Sequence, residues 1–368
     1  MSEAGLYVHV PFCLTRCGYC DFNAYAGLDG LKPRYVEALM REAELAAPEW
    51  PERFASLFVG GGTPTSLDTA RLAELLAHLR RTFDVAPDAE ITIEANPDTV
   101  DRERFEELLS AGYGRVSMGA QSFDPTVLVA LERVHQPDAV RRAFADARVA
   151  GYANVNIDLI YGAHGEPLDS WGRTLEETVG LAPEHVSAYA LTIEPTTPLG
   201  RKVAAGVVPA PDPDVQADMF ELACEILGDA GYLHYEVSNW AKPGFECCHN
   251  LGYWERRPYL GLGAGAHSSR GRRRWWNLRP PKSYLEAVEF GRLPIGGEED
   301  LSNQERALEE VFLRLRTNEG VSAATVEASS VDAYIENGLL ARRNGDVVAT
   351  ERGMLLLNEL VLGLSDTN

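Results

Sequence analysis

The chain has 368 residues, with 34 basic against 55 acidic side chains and a formal net charge of -21. That length accommodates one large α/β domain of roughly 250 residues plus a smaller one, while the acidic balance opposes attraction to phosphate backbones, so no nucleic-acid partner is expected. The opening MSEAGLYVHVPFC has no basic stretch ahead of an apolar one, and no window approaches the roughly 18 apolar residues of a membrane span; a cytoplasmic protein without a transmembrane segment is expected.

Short β-branched or apolar runs occupy Leu6 to Val10, Leu57 to Gly60, Glu90 to Ala95, Arg115 to Gly119, Asn154 to Tyr161 and His185 to Thr192. Between them lie segments such as PRYVEALMREAELA, TARLAELLAHLRRTF and RERFEELLSAG, whose apolar residues recur every three and four positions. Strands alternating with helices predict a parallel sheet of right-handed βαβ units. Polar residues gathered at the carboxyl ends of the strands favour an open (β/α)6 partial barrel, with a doubly wound sheet as the alternative. PAPDPD at 209–214 breaks the rhythm ahead of a helix expected at about 214–230. Past residue 300 three helices are predicted, over NQERALEEVFLRLR, SAATVEA and VDAYIENG, followed by a hairpin turning at Asn344-Gly345. This is a winged-helix-like α+β pattern, but six Arg against eleven Asp or Glu from Leu301 onward point to packing or protein contact rather than DNA.

Six cysteines stand at 13, 17, 20, 224, 247 and 248, too few and too clustered for a disulfide framework. Cys13, Cys17 and Cys20 follow the first strand with no second pair nearby, whereas structural zinc usually takes four ligands. Three thiolates on a cubane iron-sulfur cluster instead leave one iron open to chelation. With Tyr19 just before the third cysteine, HVPFCLTRCGYC resembles the motif of the radical S-adenosylmethionine (SAM) enzymes. The resemblance implies a 4Fe-4S cluster on Cys13, Cys17 and Cys20, with adenosylmethionine chelating the open iron. GGGTPTSL at 60–67 resembles the superfamily's glycine-rich segment, which assigns Gly61, Gly62 and Thr63 to the cofactor. Tyr7, Tyr19, Glu94, Gln121, Arg133 and Asp158 resemble adenosylmethionine contacts of the oxygen-independent coproporphyrinogen dehydrogenase branch. Acidic groups for an ammonium and a basic group for a carboxylate suit that ligand.

The resemblance covers almost the whole chain and is nearest to the coproporphyrinogen dehydrogenase and HemW-type heme chaperone group. The decarboxylating enzymes carry a further cysteine two positions after the third and an amino-terminal extension; here position 22 is Phe22 and the first strand begins near residue 6. Both departures match the chaperones, which bind heme and deliver it to acceptor hemoproteins, respiratory-chain components among them. CCHNLGYW contains the HNxxYW motif associated with heme in that group, making His249 the leading heme ligand, since a neutral imidazole ligates heme iron well. The implied layout is a radical SAM core over 1–235, an extension with the heme motif over 236–296 and a HemN-like carboxyl-terminal domain over 297–368, in a chain that can form a homo-oligomer. The alternative is an oxygen-independent coproporphyrinogen III dehydrogenase; whether adenosylmethionine is cleaved stays open, so a catalytic residue is not assigned. RGRRRWWNLRPP at 270–281 reads as a hairpin with Gly271 at its turn, or as a landing place for heme propionates at Arg272 and Arg274.

Overall fold

This computed structural model describes residues 3–326 and 328–365. The six predicted runs are strands β1 Glu3–Val10, β2 Arg53–Gly61, β3 Val85–Ala95, β4 Arg115–Gln121, β5 Val155–Tyr161 and β6 His185–Ala190. Each pairs in parallel with the next in chain order. A doubly wound sheet reverses order at a switch point, so this uninterrupted order selects the partial barrel.

Period-two patterning explains why the sheet has two chemically different faces. Leu6, Val8 and Val10, then Leu57 and Val59, Ile91 and Ile93, Val116 and Met118, and Val155, Ile157 and Leu159 are buried on one face. Helices α1 Lys32–Ala46, α2 Thr69–Thr82, α3 Arg102–Ala111, α4 Pro137–Ala150 and α5 Leu168–Leu181 cover it with their own apolar stripes, such as Leu72, Leu75, Leu76 and Leu79 on α2. Each large aliphatic side chain buried there contributes about 1.5–3 kcal/mol. The intervening positions are largely polar and face the barrel interior. α3 starts at Asp101, whose side chain accepts from the Arg104 amide, and stops at Gly112 with φ 110°. Helix α6, Pro213–Asp229, follows the proline-rich interruption as expected, capped by Asp212.

The sheet extends past both edges of this barrel. Beyond β6 lie β7 Leu233–Glu236 and β8 Asn239–Ala241, giving the edge order β6-β8-β7. A short helix, α7 Cys248–Trp254, then crosses beneath the barrel, and β9 Tyr259–Leu262 pairs in parallel with β1. Antiparallel β10 His267–Arg270, β11 Arg273–Asn277 and β12 Ile295–Asp300 follow outward, with α8 Pro281–Glu289 between the last two. Gly271, at φ 66°, turns the β10–β11 hairpin. Arg272 donates to the Leu301 carbonyl at 2.7 Å, and Arg274 pairs with Glu299 and Glu309. These cations are engaged within the fold, which favours the plain hairpin over a propionate site.

The carboxyl-terminal module holds α9 Asn303–Arg314, β13 Val321–Ser322, α10 Ala328–Glu336, β14 Leu340–Arg343, β15 Asp346–Ala349 and α11 Leu357–Ser365. Asn344 and Gly345 turn the β14–β15 hairpin with φ of 54° and 93°, the two left-handed residues of a type I′ turn. The helix predicted over SAATVEA does not form across 321–326. Val321 and Ser322 pair with β15, and Thr325 donates to the Ser322 carbonyl at 2.9 Å, so sheet pairing and a serine turn outweigh alanine propensity; Glu327 lies outside the described residues.

Candidate functional site

Cys13 ends a two-residue ladder in which Phe12–Cys13 pairs with Tyr25–Ala26, so the three-cysteine loop is closed at its base. The glycine-rich segment is fastened to the same loop. Gly62 donates to the Val10 carbonyl at 2.8 Å and Thr63 to that of Phe12 at 2.7 Å, while the Thr63 hydroxyl lies 3.7 Å from Cys13 Sγ. A β-carbon at Gly62 would stand 2.7 Å from the Phe12 oxygen and 3.0 Å from Cys13 Sγ, so only glycine lets the two segments meet. Gly61, at φ 114°, donates its amide to Glu94 at 2.9 Å.

Two strands and the loop carrying Arg133 supply the charged groups. Glu94, at the end of β3, is raised to about 8, chiefly by burial and then by Asp158. Asp158, on β5, is also raised by burial, although Ser117 and Asn156 donate to its two oxygens at 2.9 and 2.8 Å. Arg133 reaches Cys17 Sγ at 3.6 Å and the Gly119 carbonyl at 3.0 Å, leaving its buried Nε without a partner among the described residues. Gln121 ends β4 at φ 66°, a left-handed backbone that costs a non-glycine residue of order 1 kcal/mol.

A cavity of about 430 Å³ unites these groups. Cys13, Cys17, Tyr19, Cys20, Gly61, Gly62, Thr63, Glu94, Gln121, Arg133 and Asp158 all line it. Leu14 and Phe22 line it as well and are 60% and 63% exposed, two apolar side chains beside the exposed Arg16 and Asp21. Tyr7 does not line this cavity. It borders a second, smaller space of about 160 Å³ deeper in the barrel, where its hydroxyl meets His9 Nδ1 at 2.9 Å. Glu94, Ser117, Asp158 and Tyr189 line both spaces, so the carboxylates form the shared wall.

His249 borders the smaller space from α7. Its ring is buried, packed at 5.3 Å on Phe58, with Nδ1 2.8 Å from the Ser56 hydroxyl and Nε2 2.9 Å from the Tyr253 hydroxyl. Burial, with Arg115 nearby, lowers it to about 3, so the imidazole is neutral. Both nitrogens are therefore occupied, and about 160 Å³ is below the roughly 300–1,000 Å³ of typical cofactor sites. In this conformation the expected heme ligand is enclosed by Ser56 and Tyr253, and an incoming metal would have to displace the Tyr253 hydroxyl from Nε2. Cys247 is buried beside Glu90, and its thiol is pushed up to about 12, mainly by burial.

Ser117, Asn156, Arg115 and Glu90 were not among the expected site residues. Ser117 and Asn156 hold Asp158, Arg115 lines the deeper space, and Glu90 accepts from the Cys248 and His249 amides at 3.2 and 3.1 Å, seating the helix that bears the heme motif. Their signal was alternation: Glu90, Thr92 and Glu94, or Asn154, Asn156 and Asp158, place polar groups at every second position of otherwise apolar strands.

The donor set fits the implied groups. Three thiols share one cavity wall, a cradle admits only glycine beside Cys13, and an orphaned guanidinium nitrogen stands opposite two buried carboxyls. The radical SAM superfamily model matches residues 7–178, and the HemN C-terminal domain model matches 301–356. A protein named heme chaperone HemW from Mycobacterium tuberculosis is 45% identical over 97% of this chain and 93% of its own length. Those of Bacillus subtilis and Escherichia coli are 34% and 35% identical over 96% and 98% of this chain, covering 97% and 98% of their own lengths. Among solved structures, coproporphyrinogen III oxidase (HemN) from Escherichia coli, described as a radical SAM enzyme, superposes with a TM-score of 0.86 over all of this chain and 91% of that one, at 24% identity. At that identity the likeness shows the fold alone.

Proposed function

The chain belongs to the HemW family of heme chaperones, on a radical SAM scaffold, and from that premise we propose that it binds heme and passes it to acceptor hemoproteins. The observation that carries the choice over coproporphyrinogen decarboxylation is position 22. The exposed ring of Phe22 stands on the rim of the cysteine cavity where the decarboxylating pattern places another thiol. The exposed apolar side chains of Phe22 and Leu14 suit a flat, greasy macrocycle.

Cys13, Cys17 and Cys20 hold a 4Fe-4S cluster in this reading. When bound, that cluster supplies an iron open to chelation and an electron at low potential. Gly61, Gly62 and Thr63 admit the adenosylmethionine head group beside the cysteine loop, Glu94 and Asp158 receive its positive charge and sugar hydroxyls, and Arg133 its carboxylate. Gln121 and Tyr19 complete the wall, and Tyr7 borders the deeper space that Glu94 also lines. His249 joins the heme site by exchanging the Tyr253 hydroxyl for iron. Respiratory-chain components are the proposed class of acceptor.

The test is an anaerobic heme titration of cluster-loaded wild type, Tyr253→Phe and His249→Ala at equal iron-sulfur content. Saturable, near-stoichiometric binding by the wild type is expected, strengthened in Tyr253→Phe, which frees Nε2, and weakened in His249→Ala. Absence of saturable binding by the wild type overturns the chaperone reading; equal binding by all three proteins keeps it and removes His249 as ligand.

A further inference from the structure

Away from both cavities, Cys224, His234 and Glu351 converge where the carboxyl-terminal module meets the barrel. Cys224 lies on the buried face of α6, His234 on the edge strand β7, and Glu351 at the start of a short helix, Glu351–Leu355. One ligand atom from each lies within 4.8 Å of the others, and Cys224 Sγ is 3.9 Å from His234 Nδ1.

The histidine is oriented in the manner of a metal ligand. Its ring stacks on Trp240 at 4.2 Å with 6° between the planes, and Phe220 meets it edge-on at 5.7 Å. Nε2 faces the Val237 carbonyl at 3.3 Å. A carbonyl only accepts, so Nε2 carries the proton and Nδ1 turns its lone pair toward the thiol. A backbone acceptor behind the far nitrogen is the usual support of a metal-bound imidazole. Tetrahedral zinc, with bonds of about 2.3 Å to sulfur and about 2.0 Å to nitrogen, places those two atoms about 3.5 Å apart, a few tenths of an ångström below the observed 3.9 Å. Glu351 is exposed and, among the described residues, no hydrogen bond or ion pair holds its carboxylate, so it can close the remaining gap.

We infer that Cys224, His234 and Glu351 form a site for one zinc-class divalent cation, completed by solvent, that clamps the carboxyl-terminal module to the barrel edge. One sulfur, one imidazole nitrogen and one carboxylate oxygen favour a borderline-soft ion over magnesium or calcium. Binding forms a zinc–thiolate bond and releases the thiol proton to solvent, with no change of oxidation state. The competing description is a plain thiol–imidazole contact with Glu351 incidental, which binds no metal.

Zinc titration of the cluster-loaded, full-length protein tests the inference, with iron counted in the same sample and the sulfur shell read at the zinc absorption edge. About one zinc per chain is expected, with a single sulfur neighbour at about 2.3 Å and a rise in melting temperature that a chelator reverses. Glu351→Gln, at an exposed position that leaves the core intact, is expected to weaken binding about tenfold or more; Cys224→Ser abolishes the sulfur signal. Failure of the wild type to bind zinc, a shell of three sulfurs, which assigns the ion to Cys13, Cys17 and Cys20, or wild-type affinity in Glu351→Gln overturns it. The Glu351 variant decides the matter even if the Cys224 variant does not fold.

Discussion

In the proposed adenosylmethionine site Glu94 meets two demands that oppose each other: it is buried in the cavity wall, and it has to be charged to receive a cation. Burial, reinforced by Asp158, raises it to about 8, so near neutrality the free protein holds the proton and a bound cation has to expel it. Proton release on binding makes affinity rise with pH until the carboxyl ionises by itself. Adenosylmethionine is therefore expected to bind cluster-loaded protein about tenfold more tightly per pH unit below about 8, with a plateau above. Equilibrium binding from pH 6 to 9 checks this; Glu94→Gln should bind weakly with a flat profile, and an unchanged slope in that variant would remove Glu94 from the cation site.

Elements, rather than single residues, decide how these groups meet. Gly62 joins two loops at a distance too short for any β-carbon, so Gly62→Ala is expected to form a folded barrel that loads less iron-sulfur cluster, measurable as iron and sulfide per chain. Glu90 acts on α7 from the middle of β3, and Glu90→Ala leaves two amides of that helix without their acceptor, costing about 1–3 kcal/mol in a urea titration. Glu90→Gln, which keeps an acceptor oxygen, should recover most of it. The barrel was legible because β1 to β6 carry their apolar side chains at every second position and are separated by helical periods. Cys13, Cys17, Cys20, Gly61, Gly62, Thr63, Glu94, Gln121, Arg133 and Asp158 were legible because the motifs that carry them resemble those of the radical SAM superfamily, and one cavity gathers them. Strand β9 was not, since Tyr259 pairs beside Gly5 and no local pattern announces a partner so distant in the chain. Nor could spacing show that His249 would be enclosed by Ser56 and Tyr253, because Ser56 comes from a different part of the sheet.

At the scale of the whole molecule, the carboxyl-terminal module is joined to the barrel through β7. Val237 donates to the Arg316 carbonyl at 3.0 Å and Asn318 to that of Tyr235 at 3.0 Å, while the Arg316 guanidinium lies 4.6 Å from the centre of the Trp254 ring. The same guanidinium stands 3.9 Å from the fully buried Glu236. Burial raises Glu236 above its ordinary range, and Arg316 is the cation that opposes the rise. Arg316→Met therefore raises it further and is expected to cost about 2–3 kcal/mol near neutrality, below the full cost of breaking a buried pair because the arginine is 21% exposed. The sign of its pH dependence follows from which state holds the proton. A carboxyl with a raised folded value loses stability as pH climbs above its unfolded value of 4.5, since the unfolded chain ionises freely while the folded one cannot. The deficit of Arg316→Met should accordingly be small near pH 4.5 and widen toward neutrality, in urea titrations of cluster-loaded protein at matched ionic strength. A deficit independent of pH would mean that packing of Arg316 on Trp254, rather than its charge beside Glu236, holds the module in place.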